Sequence, residues 1–209
     1  MEVYLVRHGQ TDGNLGRRHQ HTSTKLNETG KAQAAAVSEI IREIKPTHLI
    51  TSTNVRAIET ARRISEVTDL IPETYPAFEE LHQSKSMVGE RLAGLRAINY
   101  MALWFLGSRT ASMHDGETYA AFVSRLARAR THLEELPSDA RVVIVSHSVF
   151  INFFIEHMIR PKRMGLTRAT LCLFRILTLK NSSITHTRFK MPEDGSHKTG
   201  WHLVHCKVK

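Results

Sequence analysis

Two short apolar runs, each ending at a histidine, constrain the fold of this chain more than any other feature. The first run covers residues 3–6 and leads into Arg7 and His8, and the second covers residues 142–145 and leads towards His147. Short runs of β-branched and aromatic residues are typical of buried strands. Polar groups at the carboxyl ends of such strands lie where open α/β sheets bind ligands. We therefore predict that both imidazoles meet at one edge of one sheet.

Helical and strand-like patterns alternate along the rest of the chain. Apolar residues recur every three to four positions in four predicted helices, over residues 31–45, 54–70, 117–136 and 149–158. Further strands are predicted over residues 48–52, 74–75, 169–179, 183–189 and 201–208. This alternation predicts an α/β fold, a three-layer sandwich in which helices cover both faces of a mainly parallel central sheet. The hairpin formed by the predicted strands at residues 169–179 and 183–189 is expected to add an antiparallel edge.

Residues 84–113 hold several methionines and Trp104 but no strand pattern. We predict one or two helices there, forming a small helical lid inserted in a single domain over residues 1–209. Four residues of the lid are basic: Lys85, Arg91, Arg96 and Arg109. They either recognise a second anionic group of a ligand or solvate a helix face. Asp115 is predicted to cap the helix that follows the lid.

The composition narrows the classes of partner. A formal net charge of +9 attracts anions. Because no run of five like charges and no aromatic stacking platform accompany it, we expect no nucleic-acid partner. The 13 histidines and the two cysteines, Cys172 and Cys206, show no metal-binding spacing, so we expect no metal or other cofactor. The lack of a bilayer-spanning apolar run or a leader pattern favours a cytoplasmic protein without a membrane partner.

Six motifs in order along nearly the whole chain resemble the histidine phosphatase superfamily. The resemblance is to the branch that includes cofactor-dependent phosphoglycerate mutase and bacterial broad-specificity phosphatases. The motifs are residues 5–14 (Arg-His-Gly with a downstream Asn), 26–34, 51–61 (Ser-x-x-x-Arg-Ala-x-x-Thr-Ala), 115–118 (Asp-Gly-Glu-Thr), 145–147 and 181–185. The resemblance implies a phosphoglycerate mutase-like domain that works through a phosphohistidine.

The resemblance implies that His8 is the nucleophile, and the chemistry of the residues agrees. A neutral imidazole is a competent nucleophile near pH 7, and a backbone carbonyl bonded to its other ring nitrogen would fix the tautomer. Arg7 and Arg56 are expected to grip phosphate oxygens in pairs, which their planar guanidinium groups allow. His147 is expected to donate to a further phosphate oxygen.

A carboxyl group is needed to protonate the leaving oxygen and later to activate water. Glu80 is our candidate, with Glu79 as the alternative, because both follow the short predicted strand at residues 74–75. Asn14, Gln20 and Ser148 are predicted to contact substrate.

The sequence also departs from the pattern of the family. Ser148 follows His147 where Gly is usual, and no segment matches the mutase stretch Glu-Arg-His-Tyr-Gly. We therefore predict a metal-independent phosphatase acting on a small phosphorylated metabolite or a phosphoprotein. Two alternatives remain, a phosphoglycerate mutase-type phosphotransferase and a catalytically silent phospho-ligand binding protein. The sequence does not determine the oligomeric state, and a homodimer is compatible with it.

Overall fold

A mixed six-stranded sheet forms the centre of the protein. The computed structural model describes residues 1–107, 115–161, 164–190 and 200–208. The strands lie in the order β3-β2-β4-β1-β5-β6. They are β1 (Glu2–Arg7), β2 (His48–Thr51), β3 (Glu73–Thr74), β4 (Arg141–Ser146), β5 (Ile184–Phe189) and β6 (Trp201–Val208). The four strands β3, β2, β4 and β1 are parallel, whereas β5 and β6 form an antiparallel edge. An antiparallel edge was predicted from a hairpin of residues 169–179 and 183–189, but the observed partners of β5 are β1 and β6.

Strands β1 and β4 pair side by side in the middle of the sheet. Their register sets Arg7 opposite Ser146, so the two strands end at the same edge. His8 and His147 follow immediately at that edge. The pairing therefore brings together two segments that lie far apart in the sequence, as the two histidine-terminated runs predict.

Helices cover both faces of the sheet. The helices are α1 (Asp12–Leu15), α2 (Glu28–Ile44), α3 (Val55–Thr68), α4 (Leu95–Phe105), α5 (Tyr119–Glu134), α6 (Ser148–Ile159) and α7 (Leu166–Thr178). Side chains alternate between the two faces along β1. Leu5 packs in the core formed with α5 and α6, and Val6 packs in the second core, with α2 and α3. The prediction of an α/β three-layer fold is confirmed.

Two local predictions are wrong. Residues 169–179, predicted as a strand, form most of helix α7. Cys172 is buried on its inner side, whereas Leu171 and Phe174 are exposed, which is a helical rather than an alternating pattern. The strand prediction followed the apolar content of the segment instead of its period. Helix α5 is capped by Thr118, whose side chain accepts from Ala121 N, and not by Asp115.

Within its described part, the predicted lid contains one α-helix, α4, and a short 3₁₀ helix over Lys85–Met87. Trp104 of α4 is buried and donates from Nε1 to the carbonyl of Glu117 at 2.8 Å, which ties the segment to the core. Residues 108–113 of the predicted lid, including Arg109, lie outside the described residues. The extent of the lid and the single domain therefore stay predictions. Within the described ranges, every helix is too short or too polar to cross a membrane.

Candidate active site

The two predicted histidines lie together at the carboxyl edge of the sheet. The ring centroids of His8 and His147 are 5.1 Å apart and the rings are tilted by 55°. Both side chains are buried, at 3 % and 0 % exposure. The strands β1 and β4 position them, because each histidine is the first residue after its strand.

Two neighbours orient the His8 ring. Its Nδ1 lies 2.7 Å from the carbonyl oxygen of Gly9, which can only accept, so Nδ1 carries the proton. Nε2 therefore bears a lone pair, towards which Arg56 donates its Nε–H at 3.2 Å. Burial, with the charges of Arg56 and Arg7, lowers the pKa of His8 well below 6.5. The imidazole is therefore neutral at pH 7.

The two predicted arginines flank this ring. Arg56, in the first turn of α3, also donates from Nη1 to the carbonyl of His21 at 3.0 Å. Arg7, the last residue of β1, donates from Nη1 to the carbonyl of Leu179. Burial lowers the pKa of Arg56 to about 10 and lowers that of Arg7, so both remain cationic at pH 7. Arg7 Nε is buried without a hydrogen-bond partner among the described residues.

Ser52 holds the second imidazole. Its Oγ accepts from Asn54 N at 3.1 Å and lies 2.7 Å from His147 Nε2. Nδ1 of His147 is buried and has no partner within the described part of the chain. Burial, followed by the charge of Arg56, lowers the pKa of His147 well below 6.5. If the hydroxyl of Ser52 donates to Nε2, the ring proton resides on Nδ1, where a ligand oxygen can accept it.

The two candidate carboxylates have different surroundings. Glu80 Oε1 accepts from Phe150 N at 2.9 Å and Oε2 accepts from Val149 N at 3.2 Å, at the start of α6. Its charge also acts on both Arg7 and Arg56. Glu80 therefore belongs to the same electrostatic cluster as the two arginines and the imidazoles.

Glu79 is held by neighbours outside that cluster. His82 Nε2 and the hydroxyl of Thr53 both bond its carboxylate. The hydrogen bond from His82 lowers the pKa of Glu79, against the opposing effect of burial. The charge that acts on Arg7 and Arg56 is that of Glu80 and not that of Glu79, so Glu79 is the weaker candidate for proton transfer.

A buried ion pair supports the loop that carries both carboxylates. Arg125 of α5 binds Glu117 through Nε–Oε1 at 2.9 Å and Nη2–Oε2 at 2.7 Å. The same guanidinium donates to the carbonyls of Ala77, Glu79 and Glu80 at 3.0, 2.7 and 3.2 Å. Both side chains of the pair are buried, at 5 % and 8 % exposure. This pair gives a structural role to the motif at residues 115–118.

The three predicted substrate-contact residues are all engaged in protein hydrogen bonds. Asn14 Oδ1 accepts from Asn181 Nδ2 at 3.1 Å and from the backbone of Thr11 at 3.2 Å. Gln20 Oε1 lies 2.6 Å from the hydroxyl of Thr11. Ser148 donates its hydroxyl to the carbonyl of Ile176 in α7 at 2.9 Å. In this arrangement their side chains support the loops around His8 and α6, and their role towards substrate stays a prediction.

The lid arginines and lysine lie mostly on the surface. Arg96 is half exposed and pairs with Glu90 at 2.7 Å, and Arg91 and Lys85 are exposed. Arg96 thus lies on a solvated helix face. Recognition of a second anionic group of a ligand by the basic lid residues stays a prediction.

Close backbone packing brings the N-terminus of α2 against the His8 loop. A Cβ on Gly30 would lie 2.0 Å from the carbonyl oxygen of Gln10, and one on Gly9 would lie 2.4 Å from that of Gly30. Gly9 N also donates to Thr60 Oγ1 at 3.1 Å, which links the loop to α3. The loop is thus fixed from two sides without any side chain filling the space.

Sequence reasoning did not assign roles to Ser52, Asn181 or Arg125. Asn181 Nδ2 lies 3.1 Å from both the carbonyl of His8 and Asn14 Oδ1, so it joins two loops of the site. Ser52 and Asn181 belong to motifs recognised in the sequence, which was the available signal. Arg125 lies eight residues beyond Glu117 on an otherwise amphipathic helix and carries no comparable signal. Among the described residues, no group of three or more His, Cys, Asp or Glu side chains could hold a metal ion.

Comparison with known protein families gives a match over most of the chain. The model of the histidine phosphatase superfamily (branch 1) matches residues 3–191. That range includes both strands of the site and every predicted site residue.

Curated relatives carry names of both phosphatases and mutases. The "Probable phosphoglycerate mutase GpmB" of Yersinia pestis (strain Pestoides F) is 28 % identical over 204 residues, covering 96 % of this chain and 90 % of the relative. The adenosylcobalamin/alpha-ribazole phosphatase of Salmonella typhimurium is 27 % identical over 178 residues, covering 84 % of this chain and 86 % of the relative.

The fold is also that of solved structures. A mycobacterial glucosyl-3-phosphoglycerate phosphatase, solved in complex with VO3, superposes with a TM-score of 0.78. It is 24 % identical and the match covers 100 % of this chain and 99 % of the other. At this identity the similarity concerns the fold alone.

Proposed function

Because this chain belongs to branch 1 of the histidine phosphatase superfamily, we propose that it hydrolyses phosphate monoesters through a phosphohistidine on His8, without a metal ion. The relatives named above are phosphatases or mutases, so transfer of a phosphoryl group is the chemistry they have in common. The observation that carries the proposal is the His8 ring, neutral and with its Nε2 lone pair towards Arg56.

In the first step the Nε2 lone pair of His8 attacks phosphorus. A P–N bond forms while the bond to the leaving oxygen breaks, and Glu80 in its protonated form donates a proton to that oxygen. Oε2 of Glu80 is held by a single backbone N–H at 3.2 Å, so it is the oxygen free to turn towards the substrate.

The arginines and His147 stabilise the transferring group. Arg7 and Arg56 supply two positive charges, and a phosphate oxygen that accepts the Nε–H of Arg56 would release the His8 lone pair. His147 would donate from Nδ1, the buried atom without a protein partner. Phosphoryl transfer depends mainly on alignment and charge stabilisation. The two arginines can therefore supply the positive charge that a metal ion supplies in other enzymes. Removal of one such donor typically lowers kcat by about 10²–10³-fold.

In the second step water hydrolyses the phosphohistidine. Glu80, now ionised, takes a proton from water as the oxygen attacks phosphorus. The P–N bond breaks, orthophosphate leaves and the neutral imidazole returns. One carboxyl group serves both steps because it finishes the first step in the state that the second step requires.

Mutase activity is the alternative, and the similarity to the GpmB relative over 96 % of this chain favours it. A mutase would return the phosphoryl group to an organic acceptor instead of water. The absence of the Glu-Arg-His-Tyr-Gly stretch from the sequence argues for the phosphatase. A silent phospho-ligand binding protein would form no phosphohistidine at all.

One experiment separates the three functions. The protein is incubated briefly with p-nitrophenyl phosphate in the presence of EDTA, quenched in alkali and analysed by mass spectrometry. We expect one phosphoryl group on His8 and steady release of orthophosphate. A phosphoprotein that releases orthophosphate only negligibly without a bisphosphate would indicate a mutase. No phosphoprotein and no release would indicate a binding protein.

The matched variants are His8→Ala and His48→Ala. His48 is the first residue of β2, so it lies at the amino ends of the parallel strands, whereas His8 lies at their carboxyl ends. Its loss tests the general cost of removing an imidazole. We expect His8→Ala to be inactive and His48→Ala to keep full activity. Retention of activity in His8→Ala would disprove the proposed nucleophile. A screen of phosphorylated metabolites and phosphopeptides would then identify the substrate class.

A further inference from the structure

Helix α7 presents an apolar face to solvent. Leu171, Phe174 and Leu177 are 60 %, 66 % and 61 % exposed, and Leu173 beside them is 49 % exposed. Leu171, Phe174 and Leu177 are spaced by three residues, so they lie along one side of the helix. Monomeric proteins seldom expose contiguous large apolar side chains, and such patches mark surfaces that bind another body.

The inner side of α7 is firmly docked, so the exposed face is not a misplaced core. Cys172 is 1 % exposed, and the carbonyl of Ile176 accepts from Ser148 of α6. Arg168 and Arg175 both bind Glu156 of α6 at 2.9 Å. Rotating the helix to bury Phe174 would break these contacts. The apolar face is therefore a fixed property of the folded protein.

The chain around this helix is rich in basic residues. Residues 157–192 hold eight of the 29 Lys and Arg residues and none of the 20 Asp and Glu residues. Three of these eight are paired with carboxylates outside the segment, Arg168 and Arg175 with Glu156 and Arg188 with Glu2. Arg160 before α7 and Lys180 after it are both exposed, so cations border the apolar face at each end.

We propose that α7 binds in the plane of an anionic lipid surface. An exposed apolar helix face bordered by Lys and Arg is the combination that inserts among acyl chains while the cations meet lipid phosphates. A helix of 13 residues gives a contact about 20 Å long. A second copy of this chain fits the surface less well, because pairing would bring two such cationic segments together. The sequence excluded a membrane partner for want of a spanning segment, which surface binding does not require.

The test measures binding of the whole protein to lipid vesicles by sedimentation. Vesicles of phosphatidylcholine are compared with vesicles in which about one third of the lipid is phosphatidylglycerol. We expect binding to the anionic vesicles that weakens as salt rises, and little binding to phosphatidylcholine alone. Phe174→Glu is expected to lower the partition coefficient at least tenfold. Lys180→Glu changes the net charge by two. Because each charge near an anionic surface changes the partition coefficient about fivefold, this variant should lower the coefficient about 25-fold.

Ile71→Glu is the matched control, since Ile71 is 91 % exposed and lies outside α7. We expect it to bind vesicles as the unmodified protein does. Thermal unfolding and hydrolysis of p-nitrophenyl phosphate verify that each variant is folded. The proposal is overturned if the unmodified protein stays unbound on anionic vesicles, or if Phe174→Glu binds as well as Ile71→Glu. A dimer that Phe174→Glu dissociates, without vesicle binding, would instead assign the face to a second copy.

Discussion

Replacement of Arg125 by Met tests how the buried ion pair supports the carboxylate loop. The substitution keeps much of the apolar volume but leaves the carboxylate of Glu117, only 8 % exposed, without its charged partner. It also removes the donors to three backbone carbonyls of residues 77–80. Loss of one member of a buried pair typically costs about 3–5 kcal/mol, because the remaining charge stays desolvated. We expect a loss of unfolding free energy in that range.

Urea denaturation at pH 7 measures this loss. For a chain of this size, each kcal/mol lowers Tm by about 2–4 °C, so thermal unfolding should shift by about 6–20 °C. Arg128→Met is the control, since Arg128 is exposed on the same helix and donates a long hydrogen bond, at 3.4 Å, to the hydroxyl of Ser124. It should change the unfolding free energy by less than about 0.5 kcal/mol. The double variant Arg125→Met/Glu117→Gln should lose less than the sum of the single changes.

The activity of Arg125→Lys tests the positioning of Glu80. A lysine keeps the charge but cannot supply the planar set of five donors. We expect kcat to fall while KM changes little, and to fall further for esters with poor leaving groups. If Arg125→Met unfolds like Arg128→Met, the pair is solvated and the argument from burial fails. If Arg125→Lys loses activity equally for good and poor leaving groups, the pair does not act through Glu80.

Three further predictions concern the site. Gly30→Ala should destabilise the protein and lower its activity, because the added Cβ would lie 2.0 Å from a backbone oxygen. Gly165→Ala is the control, since its Cβ would meet nothing within 4 Å, and it should be well tolerated. Urea melts and hydrolysis of p-nitrophenyl phosphate measure both variants. The unfolding free energy should fall as pH drops below 6.5, because burial keeps the pKa values of His8 and His147 below their unfolded value. The unfolded chain then binds more protons than the folded protein, and each of the two histidines contributes at most about 1.4 kcal/mol per pH unit to the slope of stability against pH. His8→Gln should therefore lower the slope measured by urea melts between pH 7 and 5 by up to that amount. Glu80→Gln should slow esters with poor leaving groups far more than p-nitrophenyl phosphate, and equal losses would assign the proton transfer elsewhere.

Much of the fold was predictable because its signals are local. The strands β1 and β4 appear as short apolar runs, and α2, α3 and α5 appear as apolar residues at helical spacing. The segment at residues 169–179 failed because a short apolar run does not distinguish a strand from a helix by composition. Its exposed leucines also contradict the assumption that apolar residues face the core.

The reacting residues of the candidate site were predictable from the sequence, whereas the contacts that support them were not. Motifs identified His8, His147 and the two arginines, since each motif combines residue types within a few positions of one another. The support of these groups was not predictable in the same way. Ser52 reaches His147 across 95 residues, and Asn181 reaches the carbonyl of His8 across 173.

The sequence by itself determined the type of fold, the strand ends that carry the imidazoles and the family of chemistry, because these depend on residue type and short-range spacing. Only the tertiary structure decided which nitrogen of His8 holds the lone pair, which glutamate stands beside the arginines and where the apolar face of α7 points. Those properties arise from contacts between segments that are distant along the chain. They arise only when β1, β4 and α3 pack together and bury these side chains.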